Sequence, residues 1–187
     1  VKSYFVLASS LVLSLQVSAL TLGPIETAGN ACEAAPGRYS AQETFEGSQR
    51  YQIPIGIYVK KEEDRGVARG VCTFALNVKA DAGKKIVVSN SRQIVSLRAY
   101  PEQTKVQAEL EIFRVGTHGE KAILTAESST LTRRVADSLG SEEILAETEC
   151  AGSATLRGNL SIMALGAGKA RAFARDLFID IKEVSCE

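Results

Sequence analysis

The sequence predicts an all-β fold, a single antiparallel β-sandwich of about eight or nine strands. Three observations predict it. Apolar residues recur at every second position through most of the chain. Turn-forming clusters separate these runs at short, regular intervals. No stretch between them carries the 3.6-residue periodicity of an amphipathic helix, which argues against an α/β fold.

Residues 38–46 form one candidate strand. Tyr51, Ile53, Ile55, Ile57 and Val59 alternate cleanly, and Pro54 within them predicts a sheet edge or a bulge. The charged run 60–66 is a turn, and Ala68, Gly70, Cys72, Phe74, Leu76 and Val78 resume the alternation, so the two segments read as a hairpin. Residues 85–89 and 93–100 are short Val/Ile-rich runs, with Asn90-Ser91 as the turn between them. Val106, Ala108, Leu110 and Ile112 alternate with Lys105, Gln107, Glu109 and Glu111. The turn Gly116-Thr117-His118-Gly119 leads to a return strand over 122–126. The alternating runs 156–162 and 173–181 flank a turn at 166–169 and read as a final hairpin. Only 128–149 departs from the pattern. It is polar, carries Arg133-Arg134, and reads as a long loop or as a short helix starting at Ser141.

The first 19 residues read as an export signal. Lys2 supplies the positive start, Tyr4 to Leu15 an uncharged apolar stretch, and Val17-Ser18-Ala19 the small residues before a cut at Leu20. The apolar stretch is short for a membrane span, which needs about 20 residues, and no later run is apolar enough. No Cys follows the cut to take a lipid anchor. Val1 reads as an alternative start codon, which suggests a bacterial gene. Residues 20–187 then form one domain, exported to the periplasm or medium, with a net charge of −1 once Lys2 is gone. Four cysteines in an exported chain read as two disulfides, for which three connectivities exist. Cys150 and Cys186 flank the final hairpin symmetrically about residue 168, which predicts that they pair across its open end and leaves Cys32 with Cys72. The apolar positions of that hairpin require an odd index sum and the cysteines give an even one, so a bulge or a pairing slightly beyond the ladder is needed to reconcile them. Each bridge closes a loop of about 40 residues and contributes on the order of 3–4 kcal/mol.

No conventional active site is legible. His118 is the single His, placed in a turn, and no Gly-x-Ser-x-Gly elbow accompanies it. Asp176 and Asp180 lie about 13 Å apart along a strand, too far for a glycosidase pair. Glu109 and Glu111, roughly 7 Å apart, fall within the inverting range, but they share a polar face with Lys105 and Gln107. Glu62-Glu63-Asp64 lacks the spaced oxygens of a calcium loop. No metal or cofactor motif is present. With 22 basic and 22 acidic residues, and with Lys60-Lys61 and Lys84-Lys85 as short pairs, a nucleic-acid partner is not expected. The absence of Trp and an aromatic content of 6% argue against a sugar-stacking platform. Asn159-Leu160-Ser161 matches a glycosylation sequon but falls within a strand.

Several short motifs resemble a domain-of-unknown-function family of small secreted β-rich proteins found in fungi and bacteria. They are Ala28-Gly29-Asn30-Ala31-Cys32, the run Arg69 to Val78 around Cys72, Gly83 with Ile86-Val87-Val88, and Cys150 followed by Leu156-Arg157-Gly158-Asn159-Leu160. The chain departs from the family at Glu33, at Thr148-Glu149 and at Ala151. The resemblance implies secretion and a β-rich fold, and no activity. The expectation is therefore an exported, non-catalytic module that binds a protein or envelope component, or plays a structural part there. Two alternatives stand beside it. One is an inhibitor of a secreted hydrolase, inserting the 128–149 loop with Arg133 and Arg134. The other is a hydrolase using Glu109 and Glu111.

Overall fold

Alternation of apolar and polar side chains gives each strand one face for the core and one for solvent. In the computed structural model, residues 21–34, 40–44, 48–63 and 65–186 are described. The expected export signal and its cut lie outside them. The described residues form twelve strands and no helix. In chain order these are β1 (Thr21–Ala28), β2 (Cys32–Ala34), β3 (Ser40–Glu43), β4 (Gln49–Ile53), β5 (Ile55–Lys61) and β6 (Val67–Lys79). There follow β7 (Lys84–Ala99), β8 (Thr104–Arg114), β9 (Lys121–Ser128), β10 (Arg133–Glu147), β11 (Ser153–Leu165) and β12 (Ala170–Ser185).

Two antiparallel sheets result. One has five strands in the order β1-β6-β11-β8-β9. The other runs β10-β7-β12-β4-β3; beyond Pro54, β5 takes the place of β4 beside β12, and β2 pairs with β5. The expected antiparallel β-sandwich is what forms. Ile53, Ile57, Val95, Leu97 and Leu177 from one sheet and Leu76, Leu110, Leu156, Leu160 and Ile162 from the other are buried in the shared core. Gly158 accommodates the ring of Phe74, which occupies the space a Cβ would need.

Four sequence expectations need correction. The segments 51–59 and 68–78 are not a hairpin, because β5 and β6 belong to different sheets. The same holds for the final pair. β11 pairs with β6 and β8, whereas β12 pairs with β7, β4 and β5. Asn90-Ser91 is not a turn. Asn90, at φ 49°, is a kink inside the continuous strand β7. Region 128–149 is neither long loop nor helix: β10 occupies most of it, and the irregularity near Ser141 is a bulge between Ser141 and Ile144. In each case periodicity identified the strand, but pairing depends on partners remote in sequence.

Other expectations hold. The turn at 116–119 joins β8 to β9 in a true hairpin. β3 falls within 38–46. Pro54 sits at the break between β4 and β5. The Ile55 carbonyl beside this break accepts a hydrogen bond from the fully buried Gln93 Nε2 at 3.0 Å. The disulfides are Cys32–Cys72 and Cys150–Cys186, with Cα separations of 4.8 and 6.0 Å. Their pairing is as expected, but the geometry behind it differs. Cys32 in β2 and Cys72 in β6 stand on opposite sheets, so that bridge is a staple between layers. Cys150 lies in the connection from β10 to β11 and Cys186 just beyond β12, both beside the start of β7, where the Ala151 and Cys186 amides donate to the Lys84 and Gly83 carbonyls. The index-sum conflict disappears because β11 and β12 do not pair.

Candidate binding face

The outer faces of the two sheets can be read from strand parity and register. On the five-stranded sheet, odd positions of β6, β8, β9 and β11 face outward, since the even ones are mostly buried. Charges there alternate in sign and pair. Lys105 Nζ lies 2.7 Å from Glu127, and Lys121 Nζ lies 2.6 Å from Glu109. Glu111 accepts a hydrogen bond from Asn159 Nδ2 at 3.3 Å. Glu109 and Glu111 thus share one face, as expected, and each is engaged by a cross-strand partner. A shallow groove of about 550 Å³ runs nearby between Glu26, Thr73, Phe113, Arg157 and Asn159.

The seven-stranded sheet is different. Its inward positions include Val59 on β5, Leu97 on β7 and Ala172 on β12, so Lys60, Arg98 and Arg171 face outward. Register then places them side by side. Arg134 on β10 is opposite Arg98, Arg98 is opposite Arg171, and Arg171 is opposite Lys60. Four cations from four adjacent strands form one transverse row. With strands about 4.8 Å apart, the row is about 14 Å long.

Two residues along, the next row reads Ala136, Ser96, Phe173 and Tyr58 across the same strands. Phe173 and Tyr58 are directly opposite each other and are 38% and 47% exposed. Arg175 follows, its guanidinium 5.7 Å from the centre of the Phe173 ring. At the far end of the face a groove of about 520 Å³ is bordered by Arg50, Arg92, Ser138, Ser141 and Glu142.

The electrostatics favour an anion at the row. Among the described residues, no carboxylate lies within ion-pair distance of Arg98, Arg134 or Arg171. Lys60 is the exception and pairs with Glu62. The carboxyl of Glu62 is held below its ordinary range, chiefly by the Lys60 hydrogen bond, with Lys169 and Arg171 adding to the effect. Like charges directly opposite one another in a sheet are destabilising. Arg98 is braced from below by Tyr100, whose ring centre lies 4.6 Å from the guanidinium carbon.

The remaining sequence candidates are dispersed. Arg133 and Arg134 are adjacent on β10 and so point to opposite faces; Arg134 joins the row, and neither belongs to an insertion loop. His118 is exposed in its turn beside a small cavity of about 80 Å³ lined also by Ser91, Glu120 and Glu143. Asp176, at φ 52°, lies where the β12 register shifts, so it does not share a regular strand face with Asp180. Asp180 is 4% exposed and receives hydrogen bonds from Arg50 at 2.7 and 2.9 Å and from Asn90 at 3.2 Å. Burial is the largest influence on its carboxyl and pushes the pKa up. The hydrogen bonds and charge of Arg50, with the bond from Asn90, outweigh it and hold the pKa below the ordinary carboxylate range.

Glu62 and Glu63 pair with Lys60 and Lys169, and Asp64 lies outside the described residues. Among the described residues, no group of three or more His, Cys, Asp or Glu is arranged to hold a metal ion. Lys60-Lys61 divides: Lys60 joins the row, while Lys61 is fully buried and donates to the carbonyls of Gly168 and Glu62 at 2.7 and 3.2 Å. Lys84 and Lys85 pair with Glu183 and Glu147. The row was missed in the sequence because its members stand far apart there. The available signal was that each occupies an outward position in a strand of known parity.

No protein-family model matches the chain, and no curated protein matches it. Solved structures similar to it include three carbohydrate-binding modules. TmCBM61 in complex with β-1,4-galactotriose is 10% identical, with 83% of this chain and 87% of that one covered, at a TM-score of 0.29. The family 11 module from Clostridium thermocellum, in complex with a β-1,3-1,4-mixed-linked tetrasaccharide, is 8% identical, with 88% and 91% covered and a TM-score of 0.21. The N-terminal cellulose-binding domain of Cellulomonas fimi β-1,4-glucanase C is 12% identical, with 84% and 88% covered and a TM-score of 0.19. Likeness at these TM-scores carries no argument about what this chain binds.

Proposed function

We propose that this chain is an exported, non-catalytic binding module whose working surface is the outer face of the seven-stranded sheet, and that its partner there is negatively charged. One observation carries the reading: Arg134, Arg98, Arg171 and Lys60 stand opposite one another across four strands. Repulsion among them costs stability in the free protein, and a bound polyanion removes that cost. The two disulfides suit an oxidising compartment outside the cytoplasm.

The test is retention on immobilised dextran sulfate against uncharged dextran. Wild-type protein is retained by the first and not by the second, and retention weakens as salt rises. The double substitution Arg98→Gln/Arg171→Gln abolishes retention. Lys105→Gln/Lys121→Gln, on the opposite face, leaves it unchanged. Absence of retention, or equal loss from both pairs, overturns the proposal.

A further inference from the structure

Resting on that reading of the face, we infer that its partner is a polysaccharide built from carboxylate-bearing sugars, lying across the strands with its carboxylates on the cation row and a sugar ring over Phe173 and Tyr58. Three features of the face point to this chemistry together. The first is the identity of the cations. Three of the four are arginines, whose planar forks accept a carboxylate through two parallel hydrogen bonds. Arg98 is pre-oriented for this by its stack on Tyr100.

The second feature is spacing. The cations repeat at the strand separation of about 4.8 Å, comparable to the length of one pyranose unit in an extended chain. A linear polymer with one carboxylate per sugar therefore follows the row along its length, seating on the cations those carboxylates that its twist turns toward the sheet. A compact multivalent anion engages only part of it.

The third feature is the aromatic pair. Phe173 and Tyr58 lie one outward position from Arg171 and Lys60 on the same two strands, about 6.6 Å along them. Both rings are open to solvent. They offer an apolar surface to the C–H face of a sugar whose carboxylate sits on the row. A polyphosphate has no group for these rings. A nucleic acid has bases to stack there, and the poly(dT) arm of the titration below separates it from the sugar. The low overall aromatic content does not count against the sugar, because two rings suffice for one contact when register places them side by side.

The experiment measures binding of the full disulfide-bonded protein to four polymers by calorimetric titration. These are polygalacturonate, its fully methyl-esterified form, polyphosphate and poly(dT). Wild-type protein binds polygalacturonate, and esterification, which removes charge but keeps the ring, abolishes binding. Phe173→Ala/Tyr58→Ala weakens polygalacturonate binding about tenfold and leaves any residual binding of polyphosphate unchanged. Arg98→Gln/Arg171→Gln removes binding of every anionic polymer. All substitutions are outward-facing, and a melting temperature no lower than that of wild type confirms that each variant is folded.

Other outcomes separate the two proposals. Polyphosphate or poly(dT) bound as tightly as polygalacturonate overturns the sugar inference while leaving the charged face standing. Polygalacturonate binding that is insensitive to loss of Phe173 and Tyr58 does the same. Equal binding of the methyl ester removes the role of the cations. Failure to bind any anionic polymer overturns both.

Discussion

The two outer faces of this sandwich both come from antiparallel strands, yet only one of them sets a row of like charges side by side. On the five-stranded sheet, Lys105 meets Glu127, Lys121 meets Glu109 and Asn159 meets Glu111. Opposite signs across neighbouring strands are the expected solution for a face that only needs to stay wet. On the seven-stranded sheet, Arg134, Arg98, Arg171 and Lys60 are set against one another. Folding by itself gives no reason for that arrangement. The paired face therefore serves as an internal reference, and the row stands out within the other face, which elsewhere pairs Arg50 with Asp180 and Lys85 with Glu147.

The comparison can be broken in several places. The largest expected effect is on a disulfide. Replacing Cys150 and Cys186 together by Ser removes a loop constraint of 36 residues and lowers unfolding free energy by about 4 kcal/mol in the chain-entropy model. Urea denaturation measures it.

Next comes the ion pair between Arg50 and the buried Asp180. Arg50→Ala leaves the buried Asp180 carboxylate with Asn90 alone. It costs about 2–3 kcal/mol, below the range for a fully buried pair because Arg50 is half exposed. The pH dependence has a definite sign. The folded-state pKa of Asp180 is depressed, so its contribution is fully present above the unfolded carboxyl value of about 4 and is lost as pH falls through the lower folded value. Thermal melts between neutral and acid pH show this loss in the wild type, and it is smaller in Arg50→Ala.

A smaller effect has the opposite direction and bears directly on the two faces. Arg134→Thr relieves like-charge repulsion on β10 and raises stability by a few tenths of a kcal/mol, up to about 0.5, while weakening retention on dextran sulfate. Lys105→Thr on the paired face gives no such gain, because it breaks an attraction. A protein in which both substitutions changed stability alike would show that the faces are not electrostatically distinct. The smallest effect is that of Glu109→Gln, which leaves the urea midpoint within error of wild type, since exposed ion pairs contribute little.

Much of this was legible before any coordinates. Alternation located the segments of β4 to β9, β11 and β12, although it read β4 and β5 as one strand with Pro54 at an edge or bulge and β7 as two strands. The polar run 133–147 was unreadable because β10 is an edge strand, with much of its length exposed, and so carries little alternation. The two false hairpins, 51–59 with 68–78 and 156–162 with 173–181, had suitable turns and suitable parity. What they lacked was pairing, because β5 and β6, and likewise β11 and β12, belong to different sheets. Between β11 and β12 the Lys61 ammonium reaches the Gly168 carbonyl from inside the fold, a contact no local pattern announces.

The sequence by itself determined the fold class and the inward and outward parity of most strands. Those follow from local chemistry, since a strand alternates with period two and apolar side chains leave water. Only the tertiary structure decided which strands are neighbours and in what register. Lys60, Arg98, Arg134 and Arg171 are therefore four unrelated cations along the chain and one row in space. Register is a property of pairs of strands, settled by packing both sheets on one core, and a one-residue slip in any of the three pairings would dissolve the row.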